Sequence, residues 1–137
     1  MAILSLDTEI IDLLRRAKTI AVVGLSTDPG RDSYAVASYL QKHGYTIIPV
    51  NPKITSVLGV RSYPDLESIG SAVDIVDVFR RSEFMDDVVR SAIRTDAGAV
   101  WMQFNTVDQS AANAAAAAGL DVVVNRCIMV EHRRLLA

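Results

Sequence analysis

Residues 19–34, TIAVVGLSTDPGRDSY, read as a strand covered on both faces, a loop of small residues and the opening of a helix. Thr19 to Gly24 is β-branched and nearly all apolar. The loop that follows, rich in Gly, Ser, Thr and Pro, ends where Ser33 starts a helical pattern. A helix start leaves backbone N–H groups unpaired and carries partial positive charge, so this arrangement makes an anion site whose natural guest is a phosphate or diphosphate. Plain turn chemistry accounts for the same residues and stays open at this level.

Outward from this stretch, residues 7–18 carry Ile10, Ile11, Leu13 and Leu14 between charges, a short amphipathic helix with Asp7 or Thr8 as cap and Arg15, Arg16 and Lys18 late. Ser33 to Lys42 reads as a helix stopped by Gly44, and Thr46 to Val50 as a second strand ended by Asn51-Pro52. The irregular stretch with Gly59, Tyr63 and Pro64 predicts a short strand and one helical turn. Strands over 72–79, 97–102 and 121–124 then alternate with helices over 83–94, 107–118 and 129–136. The alternation predicts an α/β fold, a Rossmann-like doubly wound parallel sheet with helices on both faces in three layers. One domain is expected over 1–137, with residues 1–16 supplying an N-terminal helix packed on it. Ligands of such folds sit outside the carboxyl ends of the strands where strand order reverses, so the residues after Val23, Val50, Val78 and Trp101 should converge.

Half of the 137 residues are apolar, 22% are charged and the net charge is −2, which excludes a nucleic-acid binder that works by bulk charge. Cys127 is the single cysteine, so neither an internal disulfide nor a Cys-rich zinc site is available, and a reducing cytoplasm fits. Asp7, Glu9 and Asp12 stand where a signal peptide would be basic and then apolar, and no apolar run is long enough to span a bilayer. A cytoplasmic protein with no membrane partner is expected.

The loop Gly24-Leu25-Ser26-Thr27-Asp28-Pro29-Gly30-Arg31 is not G-x-G-x-x-G, because Ser26 stands where the fingerprint has its second glycine. Serine offers a hydroxyl to a phosphate in exchange for room. Where NAD-binding domains place Asp or Glu on the ribose, this chain has Asn51, Pro52 and Lys53. A ligand with a phosphate on its ribose, NADP or coenzyme A, suits that end better than NAD.

With these pieces laid out, the chain resembles the stand-alone CoA-binding domain proteins and is similar to the CoA-binding domain of the succinyl-CoA synthetase α subunit. The matching segments are VGLSTDPGRDSY, GYTIIPVNPK, GVRSY at 59–63, VDIVDVFRRS, AVWMQF and GLDVVVNRCIMVEH, in the family's order over about residues 17–132. The resemblance implies a Rossmann-type domain that binds coenzyme A. It implies that Gly24, Ser26, Thr27, Asp28 and Pro29 hold the diphosphate, assisted by Arg31, and that Asn51, Pro52 and Lys53 lie against the adenosine with Lys53 near the 3′-phosphate. Val78, Phe79 and Arg80 would line the far side, and Trp101 and Gln103 would border the pantetheine arm. The residues themselves leave alternatives open: Val78 and Trp101 also read as core, and Phe79 either stacks on adenine or packs at the sheet edge. Of Arg80 and Arg81, one is expected to meet a phosphate and the other to pair with Glu83. Asn125 departs from the family, where Asp often precedes the Arg-Cys pair, and the second synthetase domain with its phosphorylated histidine has no counterpart in the 137 residues, so ligase chemistry is not carried over.

Catalytic equipment is sparse. His43 closes a helix beside Gly44 and His132 follows Glu131 in the last helix. Cys127 reads as a small buried residue, with a mixed disulfide to a bound CoA thiol as the weaker alternative. Asp74 and Asp77, three apart in a strand, face opposite ways and make no acid–base pair. The expected function is therefore binding of coenzyme A or an acyl-CoA, a small-molecule nucleotide ligand, without catalysis. An NADP-dependent oxidoreductase and a nucleotide-sensing regulatory subunit are the alternatives. Apolar helix faces at both termini leave homo-oligomer formation open.

Overall fold

The computed structural model describes residues 3–137; residues 1 and 2 of the expected N-terminal segment lie outside the described residues. Ile3 bridges Val122 in parallel, and Leu4 donates its N–H to the Val122 carbonyl at 2.7 Å, so the chain first runs along the sheet edge before any helix begins. Helix α1 spans Asp7–Arg16 with Leu6, not Asp7 or Thr8, at its N-cap. The Glu9 carboxylate reaches back to accept from the N–H groups of Leu6 (3.0 Å) and Ser5 (3.2 Å), which replaces the missing cap side chain.

Five strands form one parallel sheet: β1 (Thr19–Val23), β2 (Thr46–Val50), β5 (Ile75–Val78), β6 (Ala99–Met102) and β7 (Asp121–Val124), in spatial order β2-β1-β5-β6-β7. The separate hairpin β3 (Ser56–Val57) and β4 (Val60–Arg61) fills the irregular stretch, with the helical turn at Glu67–Ile69. Alternate strand residues enter two cores. Ile20, Val22, Ile75, Ala99, Trp101 and Val123 meet α1, α2 (Asp32–Lys42) and α5 (Ile128–Leu135) on one face. Ala21, Val23, Val76, Val78, Val100, Met102 and Val122 meet α3 (Met85–Arg94) and α4 (Gln109–Ala117) on the other. This is the three-layer, doubly wound Rossmann-like architecture. The small faces Ala111, Ala112 and Ala115 let α4 lie flat against the sheet.

Element ends depart from the sequence pattern where side chains stop the backbone. The strand expected over 72–79 shortens to Ile75–Val78; at its start the Asp74 N–H donates to the Thr19 carbonyl (3.2 Å) while the Asp74 carboxylate accepts from the N–H groups of Lys18 (2.7 Å) and Thr19 (3.0 Å). A Cβ on Gly98 would lie 2.8 Å from the Asp74 carbonyl oxygen, so glycine is required at that close approach. Helix α3 begins after a 3₁₀ turn at Ser82–Phe84. The order of strands reverses between β1 and β5, which sets the cleft at their carboxyl ends.

Candidate functional site

Gly24 leaves β1 with φ +87°, and its N–H donates to the Val50 carbonyl at 2.9 Å. A Cβ there would stand 3.0 Å from the Phe79 carbonyl oxygen and 3.2 Å from Arg80 Cγ. Glycine is thus what lets the ends of β1, β2 and β5 close on one point. Beyond it the loop braces itself. The Ser26 N–H donates to Oγ of buried Ser33 (3.0 Å), and the Asp28 N–H donates to Ser26 Oγ (3.0 Å). The Gly30 N–H donates to Asp28 Oδ1 (2.9 Å), and the Arg31 N–H to the Asp28 carbonyl (3.0 Å). Asp28 therefore braces the loop, its N–H donating to Ser26 and its carboxylate and carbonyl accepting from Gly30 and Arg31.

Two donor sets remain for an anion. The Ser26 hydroxyl proton is not used by the bond its oxygen accepts. Helix α2 has Arg31 at its N-cap with no side-chain cap, so the amides of its first turn, from Asp32 onward, stay available. Gly24, Ser26, Gly30, Arg31 and Ser33 line a cavity of about 470 Å³ over this helix start. Thr27, Asp28 and Pro29 are exposed and stand outside that lining.

Beside it, Val23, Asn51, Pro52, Lys53, Arg80 and Phe84 are among the residues around a second cavity of about 330 Å³. Asn51 is a connector: its Nδ2 donates to the Leu25 carbonyl (3.0 Å) and its Oδ1 accepts from the Lys53 N–H (2.9 Å), so the end of β2 holds both the loop and the lysine backbone. The cavity wall carries Lys53, Arg80 and Arg81 and no carboxylate. Arg81 is paired with Glu83 at 3.2 Å, while the Arg80 guanidinium lies 4.2 Å from the centre of the Phe84 ring. The Arg81–Glu83 pair is the half of the sequence reading that the side chains display.

A third cavity, about 260 Å³, opens between α2 and the start of α5, with Asp32, Val36, Gln103, Phe104, Cys127 and Met129 among its walls. Half-buried Phe79 lines all three cavities and joins them in series. Of the remaining candidates, Gln103 borders the third cavity, and its Oε1 accepts from the Ile128 N–H at 3.0 Å. Val78 and Trp101 do not reach any of these cavities. Both are fully buried, and Trp101 donates Nε1–H to the Arg126 carbonyl at 2.8 Å, which fits the core alternative that the sequence left open for them.

Sequence reasoning missed Ser33, Phe84 and Pro64 as site residues. Ser33 had a signal in its place at the helix start; Phe84 and Pro64 had none, because a hairpin and a 3₁₀ turn bring them in. Asp77 has a feature that the strand pattern does not signal. Its carboxyl is fully buried, neither oxygen has a hydrogen-bond partner among the described residues, and burial pushes its pKa well above the usual carboxylate range. His43 donates Nδ1–H to the Tyr39 carbonyl oxygen of its own helix end at 2.7 Å, and His132 Nδ1 lies 2.9 Å from Tyr39 Oη. Burial first, and then the nearby His43, hold the His132 pKa below its ordinary value. Cys127 is buried at the N-cap of α5. Asn125 has φ +55°, a left-handed backbone that asparagine tolerates. Among the described residues no group of His, Cys, Asp or Glu is arranged to hold a metal ion, and no helix is long and apolar enough to cross a membrane.

A parallel doubly wound sheet with its cleft at the β1/β5 reversal defines a Rossmann-like α/β protein. Residues 18–133 match the family model described as the CoA binding domain, and the chain belongs to that family. It is 44% identical over 124 residues to the uncharacterized protein YneT of Bacillus subtilis, covering 90% of this chain and 92% of that one. A hypothetical protein from Pyrococcus horikoshii superposes with TM-score 0.94 at 43% identity, covering 97% of this chain and 94% of that one. A Thermus thermophilus protein superposes with TM-score 0.92 at 36% identity, covering 96% of this chain and all of that one. More distantly, an ADP-forming acetate–CoA ligase of Methanocaldococcus jannaschii is 28% identical over 58 residues, 42% of this chain and 8% of the ligase.

Proposed function

We propose that the chain binds coenzyme A or one of its acyl thioesters along the three joined cavities, as a binding module without catalysis of its own in a cytoplasmic setting. The adenosine lies between the end of β2 and Phe84, with Lys53 toward the ribose phosphate. The diphosphate lies at the start of α2, on the Ser26 hydroxyl, the first-turn amides and Arg31. The observation that carries this reading is the order of the cavities: a basic one without carboxylates, one over an uncapped helix start, and a mostly apolar one, all sharing Phe79. A linear ligand with a phosphorylated nucleoside, a diphosphate and a long thin arm matches that order. Family membership and the ligase relative support it.

The test is thermal stability with CoA, dephospho-CoA, NAD and NADP in parallel, since a ligand selective for the folded state raises the melting temperature. CoA is expected to give the largest shift, dephospho-CoA a smaller one, and Lys53→Ala to remove the difference between them. A shift with NADP alone would replace this reading by an oxidoreductase.

A further inference from the structure

The third cavity carries a feature that free coenzyme A does not use. Phe104 and Val130 are 54% and 45% exposed, and with Leu6 they are the large hydrophobic residues left exposed among the described residues. Both stand at this cavity, together with Ala35 and Val36 from α2 and Met129 from α5. Gln103 lies at the same cavity and is only 4% exposed. Its Oε1 is taken by the Ile128 N–H, and its Nε2 has no acceptor among the described residues. An amide whose free N–H₂ opens on the cavity, held in place by its oxygen, suits a carbonyl oxygen. An apolar wall beside that donor suits a hydrocarbon.

We infer that this cavity receives the acyl group of an acyl thioester, with the thioester carbonyl on Gln103 Nε2 and the chain against Phe104, Met129 and Val130. The inference rests on the coenzyme A reading above and names the form of the ligand. Asp32 and Phe79 line both this cavity and the one over the helix start, so an arm leaving the diphosphate passes directly into it. The free thiol would end there and leave Phe104 and Val130 wet, whereas a chain of a few methylenes covers them.

The experiment is titration calorimetry with CoA, hexanoyl-CoA and the thioether S-hexyl-CoA, on the wild type and on Val130→Asp, Phe104→Ser and Lys53→Ala. Hexanoyl-CoA is expected to bind about tenfold more tightly than CoA, the share of methylene burial that survives the cost of ordering the chain. The thioether, which lacks the carbonyl, is expected to fall about fivefold below hexanoyl-CoA. Val130→Asp and Phe104→Ser each bring hexanoyl-CoA down to the affinity of CoA, and Lys53→Ala weakens both ligands by the same factor. Equal affinity of CoA and hexanoyl-CoA for the wild type overturns the acyl site and leaves the coenzyme A reading standing. Binding of neither ligand overturns both. Sedimentation showing a dimer that Val130→Asp dissociates, with no acyl preference, assigns the patch to a second copy of the chain and overturns the inference.

Discussion

Replacing Asp77 with valine is expected to stabilise the protein, and more so as pH rises. Asp77 lies mid-strand in β5, in register with Val22 of β1 and Trp101 of β6, and is fully buried with no hydrogen-bond partner among the described residues. Valine is close to it in volume and is favoured in central strands. Two terms set the gain. An uncharged carboxyl buried without a partner costs about 1–3 kcal/mol. Ionisation adds to that. The folded-state pKa is raised above the unfolded value of 3.8, so the native state holds a proton that the unfolded chain gives up. The stability tied to this group is complete below that pH. It is then lost at about 1.4 kcal/mol per pH unit as pH climbs toward the folded pKa. Asp77→Val removes both terms, and Asp77→Asn removes the second alone. Taking about 2 kcal/mol for the first term, and about 3 °C per kcal/mol for a chain near this size, the valine variant melts about 6 °C higher at acid pH, with a wider margin at pH 7. Urea and thermal unfolding of the three proteins between pH 4 and 8 measure this. A valine variant that is less stable than wild type, or a margin that does not grow with pH, would refute the reasoning.

Other expectations follow from single contacts. Gly24→Ala forces a Cβ into a φ of +87° and to 3.0 Å from the Phe79 carbonyl, and should cost about 2 kcal/mol in denaturant unfolding and weaken ligand binding with it. His132, its folded pKa depressed by burial and by His43, stabilises the fold above the unfolded value of 6.5; stability should fall as pH drops below that, and His132→Gln should flatten this limb in pH-dependent melts. The buried Glu131 carboxylate accepts from Arg126 at 2.6 Å and Arg134 at 2.9 Å, so Glu131→Ala should lower stability by about 3 kcal/mol and speed amide exchange in α5.

The fold is legible in the chain wherever local pattern and burial agree. Thr46–Val50 and Asp121–Val124 are strands in the pattern and in the structure, because each is a short β-branched run between a helix-stopping glycine and a turn. The reversal after Val23 follows from βαβ alternation, and with it the position of the cleft. What was hidden is tertiary. The Asp74 carboxylate ties the start of β5 to the N–H groups of Lys18 and Thr19, 55 residues away or more, which no window along the sequence contains. The hairpin at 56–61 has only two residues per strand, too short for alternation to register. At the site, Gly24, Ser26, Arg31 and Lys53 line the cavities as their types suggest. The internal bonds of the Asp28 and Asn51 side chains, which brace the loop, are not legible from position alone. A tryptophan and a valine at strand ends look alike whether they face a cleft or a core; Trp101 is placed by its register with Val123 of β7 and the α5 face, and Val78 by packing on the opposite face with the α3 and α4 side chains.

The most direct test of the central claim is the crystal structure of the chain with coenzyme A. The account predicts the diphosphate over the start of α2, within hydrogen-bond distance of Ser26 Oγ and the first-turn amides, with adenine beside Phe84 and the arm running past Phe79 toward Gln103. A diphosphate bound elsewhere on the surface, or a cleft that stays empty at saturating coenzyme A, would contradict it.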